Sequence, residues 1–292
     1  MSLFSGLDDI CQEYVPLSGY TWYGLGGPAR YLLRPTTEEQ LRDILRRCRE
    51  NGVPIYVLGM GANLLVGEAG VNGAVIKLDG ELFSRIAVEG DRVRVGAAAD
   101  LRRVIIRTLR EGLAGLHCLA GIPGTTGGAI RMNAGGAWGD IGSLVQRVHV
   151  MDANGQTFWR ERDELVFEYR HTSLAEPLIL ATEFQLTPSD PKQVLQQVRE
   201  IWTYKKNTQP LRVRSAGCVF KNPRQMSAGA LIDQAGLKGL SVGGAIVSTR
   251  HANFIVARPG TKPSDVLKLI AIVREKVWER FGVHLELEIQ VW

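Results

Sequence analysis

The chain has 292 residues, 45% hydrophobic and 22% charged, with a formal net charge of +5. This composition excludes a disordered or fibrous chain and supplies a sizeable core, in about two domains by length. No apolar run reaches the ~20 residues of a membrane helix, and MSLFSGLDDICQEYV carries Asp8, Asp9 and Glu13 with no basic stretch, unlike a secretory signal.

The four cysteines (Cys11, Cys48, Cys118, Cys218) form no C-x-x-C pair, and the five histidines show no metal-ligand spacing. The sequence therefore predicts a cytosolic protein without disulfides or a metal. Its mild basicity suits an anionic ligand such as a nucleotide.

In chain order, residues 36–52 predict an amphipathic helix. Thr36 and Glu39 are placed for a capping box, with Leu41, Ile44, Leu45 and Cys48 on one stripe. Strands follow at 55–59 and 74–78, separated by a glycine-rich loop. RIAVEGDRVRVGA reads as a hairpin turning at Gly90. Asp100 is the expected cap of a helix bearing Leu101, Val104, Ile105, Thr108 and Leu109 on one stripe. A long glycine-rich stretch precedes a second hairpin, for which Asn154-Gly155 predicts a type I′ turn. LILATEFQL (178–186) predicts a strand. Pro191 opens a helix with Val194, Leu195, Val198, Ile201 and Trp202 as its apolar positions. Beyond Pro210 the pattern predicts a short helix at 227–235, strands near 243–248 and 252–257, a helix over 264–281 and a last strand at 285–291. The punctuation places a domain boundary at 190–210.

VLGMGANLLV (57–66) and LAGIPGTTGGAIRMNAGG (119–136) expose backbone N–H groups without a Cβ in the way. Such loops can wrap phosphates. Glycine content serves equally well for tight turns packing two lobes together, and neither segment has a dinucleotide or P-loop frame.

AGIPGTTGGAIRMNAGG resembles the central motif of the UDP-N-acetylenolpyruvoylglucosamine reductase family. YTWYGLGGPARYLL, GMGANLLVGEAGVNGAVIKL, YRHTSL, SAGCVFKNP, SAGALIDQAGLKGLSVGGAIVSTRHANFIVA and FGVHLELEI resemble it in the same order, over most of Tyr20–Ile289. The resemblance implies an α+β fold. Two FAD-binding lobes, 1–80 and 81–200, form a region of the vanillyl-alcohol-oxidase (PCMH) type over about 24–190, and 201–292 is a C-terminal α+β substrate-binding domain. It implies reduction of UDP-N-acetylglucosamine enolpyruvate to UDP-N-acetylmuramate in peptidoglycan precursor synthesis. The cofactor is non-covalent FAD and the reductant NADPH. The partner is a UDP-sugar, with no nucleic acid, membrane or obligate protein partner.

Carried over by position, Gly59, Gly61, Ala62, Asn63 and Leu64 contact FAD, as do Gly121, Ile122, Pro123, Gly124, Gly127, Gly128 and Asn133. Arg170 matches the catalytic arginine. Glu288 matches the catalytic acid, on a strand whose period of two sets the carboxylates opposite the apolar face. Lys221 and Asn222 match substrate contacts. Cys218 stands where the family is expected to have serine as the general acid, and a thiol can donate a proton from the same place. The stretch from Arg170 to Cys218 is short for the subclass with a tyrosine-bearing lid, so the chain resembles the lid-less subclass. Two rival readings stand beside this one: a flavin oxidase of the same fold, with His117 as the nearby tether, and a nucleotide-sugar-binding flavoprotein without turnover.

Overall fold

The computed structural model describes residues 3–223 and 226–292. The chain divides into two compact units. The first contains Met1–Glu13, Tyr31–Met60 and Asn72–Tyr204; the second contains Tyr14–Arg30, Gly61–Val71 and Lys205–Trp292. The break at Tyr204/Lys205 lies within the punctuated region. The segments 14–30 and 61–71 group with the C-terminal residues, although their chain position alone would put them in the first lobe.

Seven α-helices are present among the described residues: α1 (Glu38–Glu50), α2 (Gly80–Ser84), α3 (Leu101–Arg110), α4 (Thr126–Arg131), α5 (Pro191–Thr208), α6 (Ala228–Gln234) and α7 (Pro263–Phe281). In the first unit α1 buries Leu41, Ile44, Leu45 and Cys48, and α3 buries Leu101, Val104, Ile105 and Thr108. Both stripes follow the 3.6-residue repeat. They join a core with the inner face of a five-stranded antiparallel sheet, ordered Thr157–Glu161, Val145–Met151, Leu178–Gln185, Arg92–Gly96, Ile86–Glu89. The hairpin at Gly90 forms as expected, with Gly90 at φ +63°. A four-stranded sheet runs Cys11–Pro16, Pro28–Leu33, Val71–Ile76, Ile55–Val57, its last pair parallel.

The second unit has its own core. Val266, Leu269, Ile270, Val273 and Val277 of α7 meet Leu231 and Ile232 of α6 and the short strands Ala245–Val247 and Ile255–Ala257. Gly282, at φ +65°, ends α7. No helix among the described residues is long and apolar enough to cross a membrane.

Four local expectations are corrected. Thr37, not Thr36, caps α1. The Gln40 side-chain oxygen accepts from the N–H groups of both Thr36 (2.7 Å) and Thr37 (3.3 Å), and this delays the helix by one residue. The second hairpin does not turn through a type I′ pair, which needs positive φ at both central residues. Only Gly155 has it, at +82°. The Asp152 carboxylate instead accepts from Asn154 N–H (2.8 Å) and Gln156 N–H (2.9 Å), winding a longer loop. Trp202, expected on the apolar stripe of α5, is 49% exposed. The final strand is regular only at Gln290–Val291, parallel to Leu64–Leu65. Just before it, the N–H groups of Glu288 (2.8 Å) and Ile289 (3.5 Å) both reach Val219 O, and two residues opposing one breaks the strict alternation.

Asp100 Oδ1 accepts from Arg102 N–H at 2.8 Å and so caps α3. Asp100→Ala is expected to cost about 1 kcal/mol and to lower the calorimetric melting temperature by about 2–4 °C. Asp100→Asn, which keeps the acceptor, should melt within about 1 °C of the parent.

Candidate functional site

The first glycine loop follows the strand Ile55–Val57. Leu58 N–H is still tied to the sheet, donating to Ile76 O at 2.8 Å. The next five N–H groups, Gly59 through Asn63, donate to no protein acceptor among the described residues. Successive backbone N–H groups without a protein acceptor can form an anion-binding concavity. The loop's shape comes from close approaches that only glycine permits. A Cβ on Gly61, at φ +63°, would lie 2.0 Å from Tyr20 O, and one on Gly59 would lie 2.7 Å from Thr125 Oγ1. Gly61 O accepts from Trp22 N–H at 3.0 Å. Asn63 is fixed by donating from Nδ2 to Glu288 O (3.0 Å) and by accepting from Gln290 N–H (2.9 Å).

The second loop behaves differently. Gly127 N–H donates to Ala97 O at 2.8 Å, and Gly128 N–H donates to the capping Thr125 Oγ1 at 3.3 Å. These two expected cofactor contacts thus spend their donors on the fold and offer space rather than hydrogen bonds. A Cβ on Gly127 would press Ala97 at 2.8 Å, whereas one on Gly128 would stand 3.4 Å from Thr125 Oγ1, an ordinary contact. Ile122 N–H closes on Leu119 O, while the N–H groups of Gly121, Gly124 and Thr125 have no protein acceptor among the described residues.

A cavity of about 110 Å³ in the first unit is lined by Leu58, Gly59, Lys77, Thr125, Gly127, Gly128 and Arg131. Lys77, Thr125 and Arg131 were not anticipated as lining residues. Lys77 is half-buried, its Nζ lies 3.4 Å from Gly59 O, and desolvation lowers its pKa. A cation in a desolvated cavity beside unpartnered N–H groups favours an anion. The signal in the sequence was a lysine inside an otherwise apolar run, AVIKL.

Arg170 lies in the first unit, in the two-residue turn Tyr169–Arg170 between the strands Phe167–Glu168 and His171–Thr172. Its φ is +57° and its guanidinium stands 4.8 Å from the Tyr169 ring centroid. Asn133, expected to hold cofactor, has its N–H, Nδ2 and Oδ1 all bonded to protein atoms. His117 Nδ1 accepts from Gly115 N–H at 3.0 Å, and burial lowers the ring's pKa.

Cys218 and Glu288 lie in the second unit, on adjacent segments. Cys218 bridges to Phe254, Phe220 bridges to Leu287, and Glu288 N–H donates to Val219 O. Both side chains are half-buried. Glu286 differs sharply from Glu288: its side chain is 77% exposed and pairs with Lys221 Nζ at 3.5 Å. Asn222 Oδ1 accepts from Ala228 N–H at 3.0 Å and steadies the start of α6. No cluster of three or more His, Cys, Asp or Glu suited to a metal occurs among the described residues.

The FAD binding domain family matches residues 29–160, and the C-terminal domain family of UDP-N-acetylenolpyruvoylglucosamine reductase matches residues 209–292. The reductase of Clostridium botulinum is 37% identical over 278 residues, covering 94% of this chain and 90% of its own length. The Symbiobacterium thermophilum protein called reductase 2 is 42% identical over 279 residues, covering 95% and 90%. The crystal structure of the Thermus caldophilus reductase superposes with a TM-score of 0.84 at 39% identity, over 96% of this chain and 98% of its own. The α+β fold with a vanillyl-alcohol-oxidase-type FAD region is thereby borne out.

Within the first unit, Gly59, Lys77, Thr125 and the glycine walls of the cavity fit an anionic part of FAD. Gly128→Leu is expected to fold, because its Cβ finds space and α4 tolerates leucine better than glycine. Its side chain intrudes on the cavity, so the purified variant should carry under about a tenth of the parent's flavin at an unchanged or higher apoprotein melting temperature. Stoichiometric flavin in folded Gly128→Leu would place the cofactor elsewhere.

Proposed function

This chain belongs to the UDP-N-acetylenolpyruvoylglucosamine reductase family, and from that premise we propose that it reduces UDP-N-acetylglucosamine enolpyruvate to UDP-N-acetylmuramate. NADPH is the reductant, the place is the cytoplasm, and the purpose is peptidoglycan precursor synthesis. Residues 1–80 and 81–200 act as the cofactor lobes and 201–292 as the substrate domain. Bound FAD supplies hydride transfer, from NADPH to the terminal vinyl carbon of the substrate. The N–H groups of Gly59–Asn63 would hold its diphosphate, and Lys77 would supply a cation within the first unit.

The protein's own side chains handle charge and the proton. Arg170 grips the substrate carboxylate with two parallel hydrogen bonds and steadies the negative charge that spreads onto it as hydride arrives. Glu288 hydrogen-bonds the same developing centre. Cys218 donates its Sγ proton to the ether-bearing carbon, and solvent returns that proton. One hydride and one proton thus saturate the double bond, and NADPH leaves as NADP⁺. Lys221 and Asn222 lie near the substrate's nucleotide or carboxylate.

The observation that supports this reading best is local to the second unit. The hydrogen bond from Glu288 N–H to Val219 O puts Cys218 and Glu288 on facing segments. The irregular register there leaves Glu288 half-buried while Glu286 faces solvent. That division suits a working acid beside a solvated one.

The test is anaerobic. Flavin absorbance should fall on adding NADPH and return on adding the enolpyruvyl substrate; a purified protein without flavin would sink the reading. Cys218→Ser should stay active. Cys218→Ala should keep the NADPH step and lose the return step by about 10²–10⁴-fold, the usual worth of general acid catalysis. Glu288→Gln should slow the return step far more than Glu286→Gln, and equal losses would reject the assignment of Glu288.

A further inference from the structure

Arg170 occupies a costly backbone conformation. The second position of its turn, at φ +57°, favours glycine or asparagine, and a longer side chain there is strained. Such strain persists only where the surroundings fix it.

The surroundings converge on Asn133. This residue is 4% exposed and itself has φ +39°. Its Nδ2 donates to Glu168 O at 2.9 Å, at the base of the Arg170 hairpin, and its Oδ1 accepts from Gly142 N–H at 3.0 Å. The amide's orientation follows from its partners, since one is a carbonyl and the other an N–H. Gly142 in turn backs onto Phe167, whose ring would lie 2.4 Å from a Cβ there. Two residues upstream, Arg131 Nη1 donates to Leu174 O at 2.6 Å and Nη2 bonds Glu176 O, holding the chain that leaves the hairpin. Asn133 has little left for a ligand, because its N–H is spent on Ile130 O at 3.1 Å.

We propose that Asn133 is a positioning residue for Arg170. It clamps the hairpin base so that the strained turn presents the guanidinium in one place. The run Thr125–Asn133 then has two ends with separate duties: Gly127 and Gly128 shape the cofactor cavity, and Asn133 with Arg131 fixes the arginine hairpin. This inference rests on the role of Arg170 given above, and it moves Asn133 from holding cofactor to orienting a catalytic side chain.

The experiment uses flavin-loaded enzyme and measures the two steps separately by anaerobic stopped flow. Asn133→Gly keeps the positive φ and removes both side-chain bonds. Asn133→Asp keeps the acceptor for Gly142 and loses the donor to Glu168 O. Both variants should retain stoichiometric flavin and an NADPH step within about twofold of the parent. Both should slow the substrate-dependent return at least about tenfold, since a displacement near 1 Å can cost 10²-fold. The Asn133→Asp deficit relative to the parent should shrink as pH falls, because a neutral carboxyl regains the donor. In an Arg170→Ala background, Asn133→Gly should add less than about twofold, since the two act as one unit. Flavin loss in both variants would restore the cofactor-binding role and overturn the proposal, as would a full additive effect in the Arg170→Ala background. Arg170→Ala slowed with Asn133→Gly at the parent rate overturns this inference alone. Arg170→Ala at the parent rate overturns the role of Arg170 and the inference together.

Discussion

A backbone N–H that the fold leaves without an acceptor has to be met by water or by a ligand. From Gly59 to Asn63 five N–H groups in succession have no acceptor among the described residues. Leu58 before them is locked to Ile76 O, and Leu64 after them begins the strand that pairs with Gln290–Val291. The loop is therefore free in its donors and fixed at both ends. Gly61 cannot carry a side chain because Tyr20 O occupies its place, so the loop's curvature is secured by packing as well as by glycine's freedom. An anion is the natural complement of this arrangement, and Lys77, with its pKa lowered by desolvation, adds a cation in the first unit.

The second glycine loop shows why glycine-rich is not one physical property. Gly127 and Gly128 give their hydrogen atoms to Ala97 O and Thr125 Oγ1 and contribute an absence of side chain. Gly121 and Gly124 keep their donors. One stretch thus divides between walls that must be thin and backbone that must be available. Asn133, farther along the same stretch, has its N–H, Nδ2 and Oδ1 bonded to protein atoms, the Nδ2 to Glu168 O at the base of the Arg170 hairpin.

Strain and support are paired at that hairpin. A positive φ on arginine is unfavourable, and the hairpin is held by the buried Asn133 amide, which donates one hydrogen bond and accepts another, and by two hydrogen bonds donated by Arg131. In the second unit the equivalent device is a broken register. Two N–H groups share Val219 O, and the slip gives Glu288 and Glu286 different surroundings although they are two residues apart on one segment. In both places an irregularity in otherwise ordinary structure sets the surroundings of a side chain assigned a role in the proposed reaction.

By itself the sequence determined whatever depends on near neighbours. The stripes of α1 and α3, the cap at Asp100, the hairpin at Gly90 and the helix opening at Pro191 all rest on spacings of a few residues. The ordered motifs likewise carried the family and its cofactor. Only tertiary structure decided which N–H groups of the two loops are spent and which are free, because their acceptors, Ala97 O and Ile76 O, come from distant strands. It also decided that Trp202 is exposed, that Lys77 and Arg131 line a cavity, and that Glu288 escapes strict alternation. The Asn154–Gly155 turn failed for a nearer reason: Asp152 competes for the same N–H groups, and a dipeptide rule does not include its carboxylate. Spacing along the chain fixes which residues can share a face. Which partner each polar group meets is settled where distant segments pack.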